Sequence, residues 1–138
     1  MTKLLLLLGA LLSLADSPTR YSEGQVWAYQ TRPQDNGSLV KIQKIETAEV
    51  GTIYHVSLIG VHLNSGQATV LQHAPVSQQT LDSSVTVQVR DPGTFPDAEA
   101  GIAEWRSAKG GVFSISIADI ADAVAQMIPP PEQSEPVS

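Results

Sequence analysis

The sequence predicts an α+β fold, a curled antiparallel sheet of about four to five strands with two to three packed helices. Three observations carry that reading. Thr52–His62, TIYHVSLIGVH, is the longest run dominated by β-branched and aromatic residues and reads as a central strand. Runs of the same character flank it with only short turns between them, which implies an antiparallel meander. Beyond Pro75 the apolar residues recur at helical spacing. On the central strand Ile53, Ile59 and Val61 fall on one face, and Tyr54, Val56 and Leu58 on the other. Both faces are apolar, so both need a cover.

Taken in order, Gln25–Thr31 is the first strand, with Trp27 and Tyr29 on one face and Pro33 closing it. Pro33–Ser38 is a polar turn. Its Asn36-Gly37-Ser38 matches a glycosylation acceptor, but Asn-Gly is also a favoured hairpin turn, and the turn accounts for it. Leu39–Glu46 alternates, Val40 and Ile42 inward, Lys41 and Gln43 outward, until Ile45 breaks the pattern and implies a bulge near Lys44. Asn64-Ser65-Gly66 turns out of the central strand, and Gln67–His73 forms a fourth strand ended by Pro75.

Ser77–Arg90 carries two patterns. Leu81, Val85 and Val89 recur at helical spacing behind a capping Ser77, yet Val85–Val89 alternates and is rich in β-branched residues. A helix starting near Ser77 is the expectation, followed by a turn at Asp91-Pro92-Gly93. Asp97–Lys109 forms a second helix with Ala98, Ile102 and Trp105 on one face, stopped by Gly110-Gly111. Val112–Ser116 is a short strand. Ser116 with Asp119 then caps a last helix whose stripe is Ile117, Ile120, Ala121, Val124 and Ile128. Residues 16–128 read as one domain, and 129–138 as a disordered proline-rich tail.

Residues 1–15 read as a cleaved signal peptide: Lys3, a leucine-rich core, then Ser13-Leu14-Ala15 at the cleavage site. The apolar run is short for a membrane span. The expected product is a periplasmic or secreted bacterial protein with no stable span after processing. The alternative is a leader that stays as a short anchor. The chain lacks cysteine, which excludes disulfides, thiolate nucleophiles and cysteine-ligated zinc. Its formal charge is -6 and no Lys/Arg cluster exists, so nucleic acid is not an expected partner.

No catalytic constellation emerges. His55 and His62 are an odd number of residues apart on one strand, so strict alternation sends them to opposite faces, and His73 ends the next strand. No metal and no cofactor is expected, because neither a His-x-His pair nor a matched acidic ligand is present. Ser38-Leu39-Val40-Lys41 matches Ser-x-x-Lys but sits on a turn and strand rather than a helix start. The carboxylates Glu23, Glu46, Glu49, Asp97, Glu99 and Glu104 read as solvated, as does Arg106. Trp27, Tyr29 and Arg32 are residue types that anchor interfaces, and with His55 and His73 they form the candidate binding set. Core burial is the competing account of Trp27 and Tyr29, and of Trp105 beside Ile102.

Gly24-Gln25-Val26-Trp27, Tyr29 and Thr31-Arg32-Pro33 resemble the opening of a group of small bacterial proteins of unknown function. The likeness continues through Ile53-Tyr54-His55-Val56, His73-Ala74-Pro75, Trp105 and Gly111-Val112-Phe113. It implies a helix after His73-Ala74-Pro75 and brings no activity, cofactor or partner. The expected function is a non-enzymatic binding or interaction module of the cell envelope, with a protein or envelope component as partner. The alternatives are a small envelope hydrolase with a histidine general base, or an inhibitor or immunity-type protein. Mass spectrometry of the exported protein is expected to find its N-terminus near Asp16; retention of Met1–Ala15 would overturn the cleaved leader.

Overall fold

The computed structural model describes residues 20–64, 66–90 and 93–128. The expected leader, the proline-rich tail, Ser65 and the Asp91-Pro92 turn lie outside those residues. The architecture is α+β. Strands β1 (Val26–Tyr29), β2 (Leu39–Ala48), β3 (Gly51–His62), β4 (Ala68–Val76) and β5 (Val85–Val89) form one open sheet in the order β4-β3-β2-β1-β5. Every neighbouring pair is antiparallel. Helices α1 (Gln78–Ser84), α2 (Glu99–Ala108) and α3 (Ile117–Met127) complete the described fold.

The sheet buries two unlike faces. On one, Trp27, Val40, Ile42, Tyr54, Val56, Leu58, Ala74 and Val76 pack with Leu81 of α1 and Ile117, Ile120 and Ala121 of α3 in the main apolar core. On the other, α2 and the segment before it cover a more polar layer that includes the buried His55 and Ser57.

Three irregularities set which side chain goes where. The register shifts between Ile42 and Lys44, leaving Gln43 unpaired and returning Ile45 to the core, as the broken alternation predicts. A second shift, at Gly60 with φ 75°, turns Val61 onto the Tyr54 face, against the expectation that it joins Ile53 and Ile59. In the third, Gln72 and His73 together stand opposite the single residue Ser57. Bulges of this kind re-aim side chains at the cost of local ladder bonds.

Several boundaries differ from the sequence reading. The first strand shortens to Val26–Tyr29. Strand β4 runs through Pro75 to Val76 instead of ending before it. The Pro75 carbonyl faces away from β3 and accepts from the Phe113 N–H at 2.9 Å, so the missing proline N–H falls on the outer edge and costs no ladder bond. Ser77 caps α1 as expected, its side chain accepting from the Thr80 N–H, but the helix ends at Ser84. Val85–Val89 then pairs with β1, where β-branched side chains are better accommodated than in a further helical turn. Lys109, left-handed at φ 54°, ends α2 before the glycines are reached. The strand expected over Val112–Ser116 reduces to one parallel bridge between Val76 and Phe113. Ser116 caps α3 by accepting from the Asp119 N–H.

Gly60→Ala is expected to destabilise the fold by about 1–2 kcal/mol for its left-handed backbone alone. The added Cβ would also sit 3.3 Å from the Ser38 Cα. Urea unfolding with an unchanged m-value is the check, and wild-type stability would overturn it.

Candidate functional site

Four polar side chains from four elements meet beneath α2. Glu46 comes from β2, His55 from β3, His73 from β4 and Arg106 from α2 itself. His55 is 0% exposed, and its Nε2 lies 3.1 Å from Glu46 Oε1 while its Nδ1 lies 2.8 Å from His73 Nε2. Arg106 grips the same carboxylate, Nη2 to Oε1 at 3.0 Å and Nη1 to Oε2 at 3.3 Å. Trp105 closes the cluster edge-on, its ring centroid 5.0 Å from that of His55 and 6.3 Å from that of His73.

The hydrogen-bond roles follow from the chemistry of the chain's first member. An ionised carboxylate only accepts, so His55 donates its Nε2–H to Glu46. With His55 neutral, its Nδ1 is an acceptor and takes the Nε2–H of His73. That leaves a lone pair on His73 Nδ1 with no protein partner among the described residues.

Electrostatics keep both rings neutral. Burial pushes the His55 pKa down, and the Glu46 carboxylate only partly opposes it. Burial, together with the neighbouring His55, lowers His73 to about 4. Glu46 is held below the usual carboxylate value by its bonds to Arg106, with a smaller contribution from His55. The positive charge beside Glu46 is therefore supplied by arginine and not by an imidazole.

His73 also lines a groove of about 410 Å³ between β4 and α2, with Leu71, Gln72, Gly101, Glu104 and Trp105 around it. Gly101 permits this approach. A Cβ there would lie 2.6 Å from the His73 Cβ, so no other residue lets α2 come so close without a shift. Two bulge residues hold the segment before α2: Gln43 donates to the Pro96 carbonyl at 2.8 Å and Gln72 to that of Asp97 at 2.9 Å.

Of the five sequence candidates, only His55 and His73 come together. Trp27 and Tyr29 are core residues, 7% and 6% exposed, with Trp27 donating to Gln25 at 3.0 Å and Tyr29 bonded to Ser38 at 2.7 Å. Arg32 is committed internally. Its Nε donates to Asp35 at 2.7 Å, Nη1 to Asp122 at 2.9 Å and Nη2 to the His62 carbonyl at 2.7 Å. Asp35, 1% exposed, also accepts from the His62 backbone N–H at 2.9 Å. Burial works to raise the Asp35 pKa, but Arg32 and His62 outweigh it and hold the group below the ordinary value. His62 belongs to this clip, its Nδ1 3.3 Å from Asp35, and not to the His55 cluster.

Sequence reasoning placed Glu46 and Arg106 in solvent, which holds for the 54% exposed Arg106 but missed their ion pair, and it gave no role to Gly101 or Asp35. The Arg32-Pro33-Gln34-Asp35 spacing did hold a signal, an oppositely charged pair three residues apart across a tight turn. Among the described residues, no group of three or more His, Asp and Glu side chains is gathered to hold a metal ion. None of the described helices is long and apolar enough to cross a membrane.

The two depressed imidazoles predict acid sensitivity. An unfolded histidine titrates near 6.5, so below that pH the unfolded chain binds more protons than the folded one and stability falls. For His73 the decline runs from about 6.5 to about 4, where the folded ring also protonates. Its slope is at most about 1.4 kcal/mol per pH unit for each ring. His73→Gln is expected to flatten the pH profile of urea midpoints in that window, and a profile as steep as wild type would overturn the assignment.

No family model, curated protein or solved structure matches this chain, so its function rests on the geometry of the site.

Proposed function

We propose that the chain is an exported, non-enzymatic binding module of the cell envelope, and that its recognition site is the groove between β4 and α2. One observation carries the reading: the groove is floored by a neutral imidazole whose donor is spent on His55 while its acceptor is left over. Such a group is fixed in orientation by its neighbour and offers one directional contact. Preorganisation of that kind favours binding because little ordering remains to be done. Trp105 lines the same groove, and aromatic surface is the common partner of a few fixed polar groups in ligand sites. An inhibitor or immunity-type role is the same reading with an enzyme as the partner.

The Glu46–His55–His73 chain favours a second reading, a hydrolase in which His73 Nδ1 takes a proton from water. The connectivity suits a relay, since each proton acceptor is already bonded to the next. Energetics count against it. A proton on His73 would enter a site that lowers both imidazole pKa values, and its destination, Glu46, is already neutralised by Arg106. No serine or threonine lines the groove to serve as a nucleophile. Binding is therefore the better account.

Two measurements separate these readings. In an isopropanol titration of the ¹⁵N-labelled protein, saturable shifts are expected to cluster at Leu71–His73 and Gly101–Trp105. Shifts centred elsewhere would overturn the groove as the recognition site. Hydrolysis of p-nitrophenyl acetate is expected to be unchanged by His73→Gln, whereas a loss of about 10²–10⁴-fold would establish general-base catalysis instead.

A further inference from the structure

The groove sorts its polar atoms by sign. His73 spends Nε2–H on His55 and presents Nδ1, a lone pair. Trp105 spends its indole N–H on the Gly111 carbonyl at 2.9 Å and presents ring. Glu104, also lining the groove, is a carboxylate with no ion pair to any described cation. Gln72 turns its amide nitrogen to Asp97, which leaves its carbonyl oxygen and one amide hydrogen. Arg106, a cation on the same helix, is engaged by Glu46 on the sheet side. The ring nitrogen and the carboxylate left over are thus acceptors, while the Trp105 N–H and the Arg106 guanidinium, though exposed, are committed to the Gly111 carbonyl and to Glu46.

We propose that the groove binds a protonated primary amine, with Glu104 supplying the counter-charge and His73 Nδ1 and the Gln72 side-chain carbonyl accepting its remaining N–H groups. This rests on the reading of the groove as the recognition site. An ammonium carries three donors and no acceptor, which matches three acceptors on three side chains. The Trp105 ring already carries the Arg106 guanidinium 5.8 Å from its centroid, the behaviour of an aromatic surface that favours cations over anions. A carboxylate or phosphate ligand would face Glu104 with no free cation among the lining residues, and would meet the His73 lone pair with a lone pair of its own. A neutral alcohol could use one acceptor but would leave the carboxylate uncompensated. The net charge of -6 draws cations toward the molecule as a whole.

The test compares three probes of one shape, n-butylammonium, n-butanol and n-butyrate, titrated into the full ¹⁵N-labelled protein at neutral pH. Shifts of Leu71–His73, Gly101–Glu104 and the His73 ring nitrogens are the readout. n-Butylammonium is expected to saturate these shifts at millimolar concentration, about tenfold or more tighter than n-butanol. n-Butyrate is expected to leave them unmoved. Glu104→Gln, an exposed substitution, is expected to remove most of that selectivity while the amide spectrum stays folded. Equal or tighter binding of n-butanol or n-butyrate at the same residues would overturn the cation assignment and leave the groove standing. Selectivity that survives Glu104→Gln would overturn the role of Glu104 and with it the proposal. Saturable shifts from none of the three would overturn both the proposal and the groove.

Discussion

Strand β3 is buried on both of its faces, and most of the structure follows from that constraint. A strand with one solvated face needs one cover; this one needs two. The first is aliphatic: α1 and α3 lay Leu81, Ile117 and Ile120 over Tyr54, Val56 and Leu58. The second must accommodate His55 and Ser57, which are equally buried but polar. A polar group sealed from water is costly without hydrogen-bond partners, and His55 and Ser57 have them, unlike the buried Tyr54 hydroxyl on the other face. The sheet provides them by irregularity. Bulges in β2 and β4 bring Gln43 and the Gln72–His73 pair alongside Ser57. Gln43 donates to Ser57 at 3.1 Å, and Ser57 donates to the Gln72 backbone carbonyl at 2.6 Å.

This division of labour explains why α2 is attached so differently from α3. Ile102, with Ala98 just before the helix, is its buried apolar contribution. Otherwise it is held by Arg106 on Glu46, by Trp105 against two imidazoles, and by glutamine bonds to the segment before it. Each of these is directional. Directional contacts fix position well and supply less burial energy than an aliphatic interface. The outcome is a helix set over a polar floor by contacts that fix its position. Elsewhere charge is used as a fastener: the Arg32–Asp35 pair ties the turn after β1 to the end of β3 and to Asp122 of α3.

Much of the sheet was legible because its cues are local. The alternation over Leu39–Glu46 and its interruption at Ile45 located a bulge to within a residue, and serine caps located the starts of α1 and α3. What escaped depends on register between strands. The facing of Val61 is decided by one left-handed glycine, which single-strand alternation cannot anticipate. His73 meets His55 because two residues of β4 share one place opposite Ser57. Glu46 and Arg106 are 60 residues apart, and nothing near either one in sequence announces the other. The surface patch at Trp27 and Tyr29 had two readings, and burial selects the core.

Pro75 bears on the behaviour of the molecule among its own copies. An open sheet has two rims, and an unprotected rim recruits strands from other chains. On the β4 rim the proline withholds a donor, and Phe113 already occupies the carbonyl beside it. On the β5 rim Val87 is 62% exposed, but the register slips between Trp27 and Tyr29, so the outer row of backbone groups is not evenly spaced. Neither rim is a regular template. Among the described residues, a sheet left open by its topology thus offers irregular rims to a second strand, and mutual repulsion between copies of an acidic chain acts in the same direction.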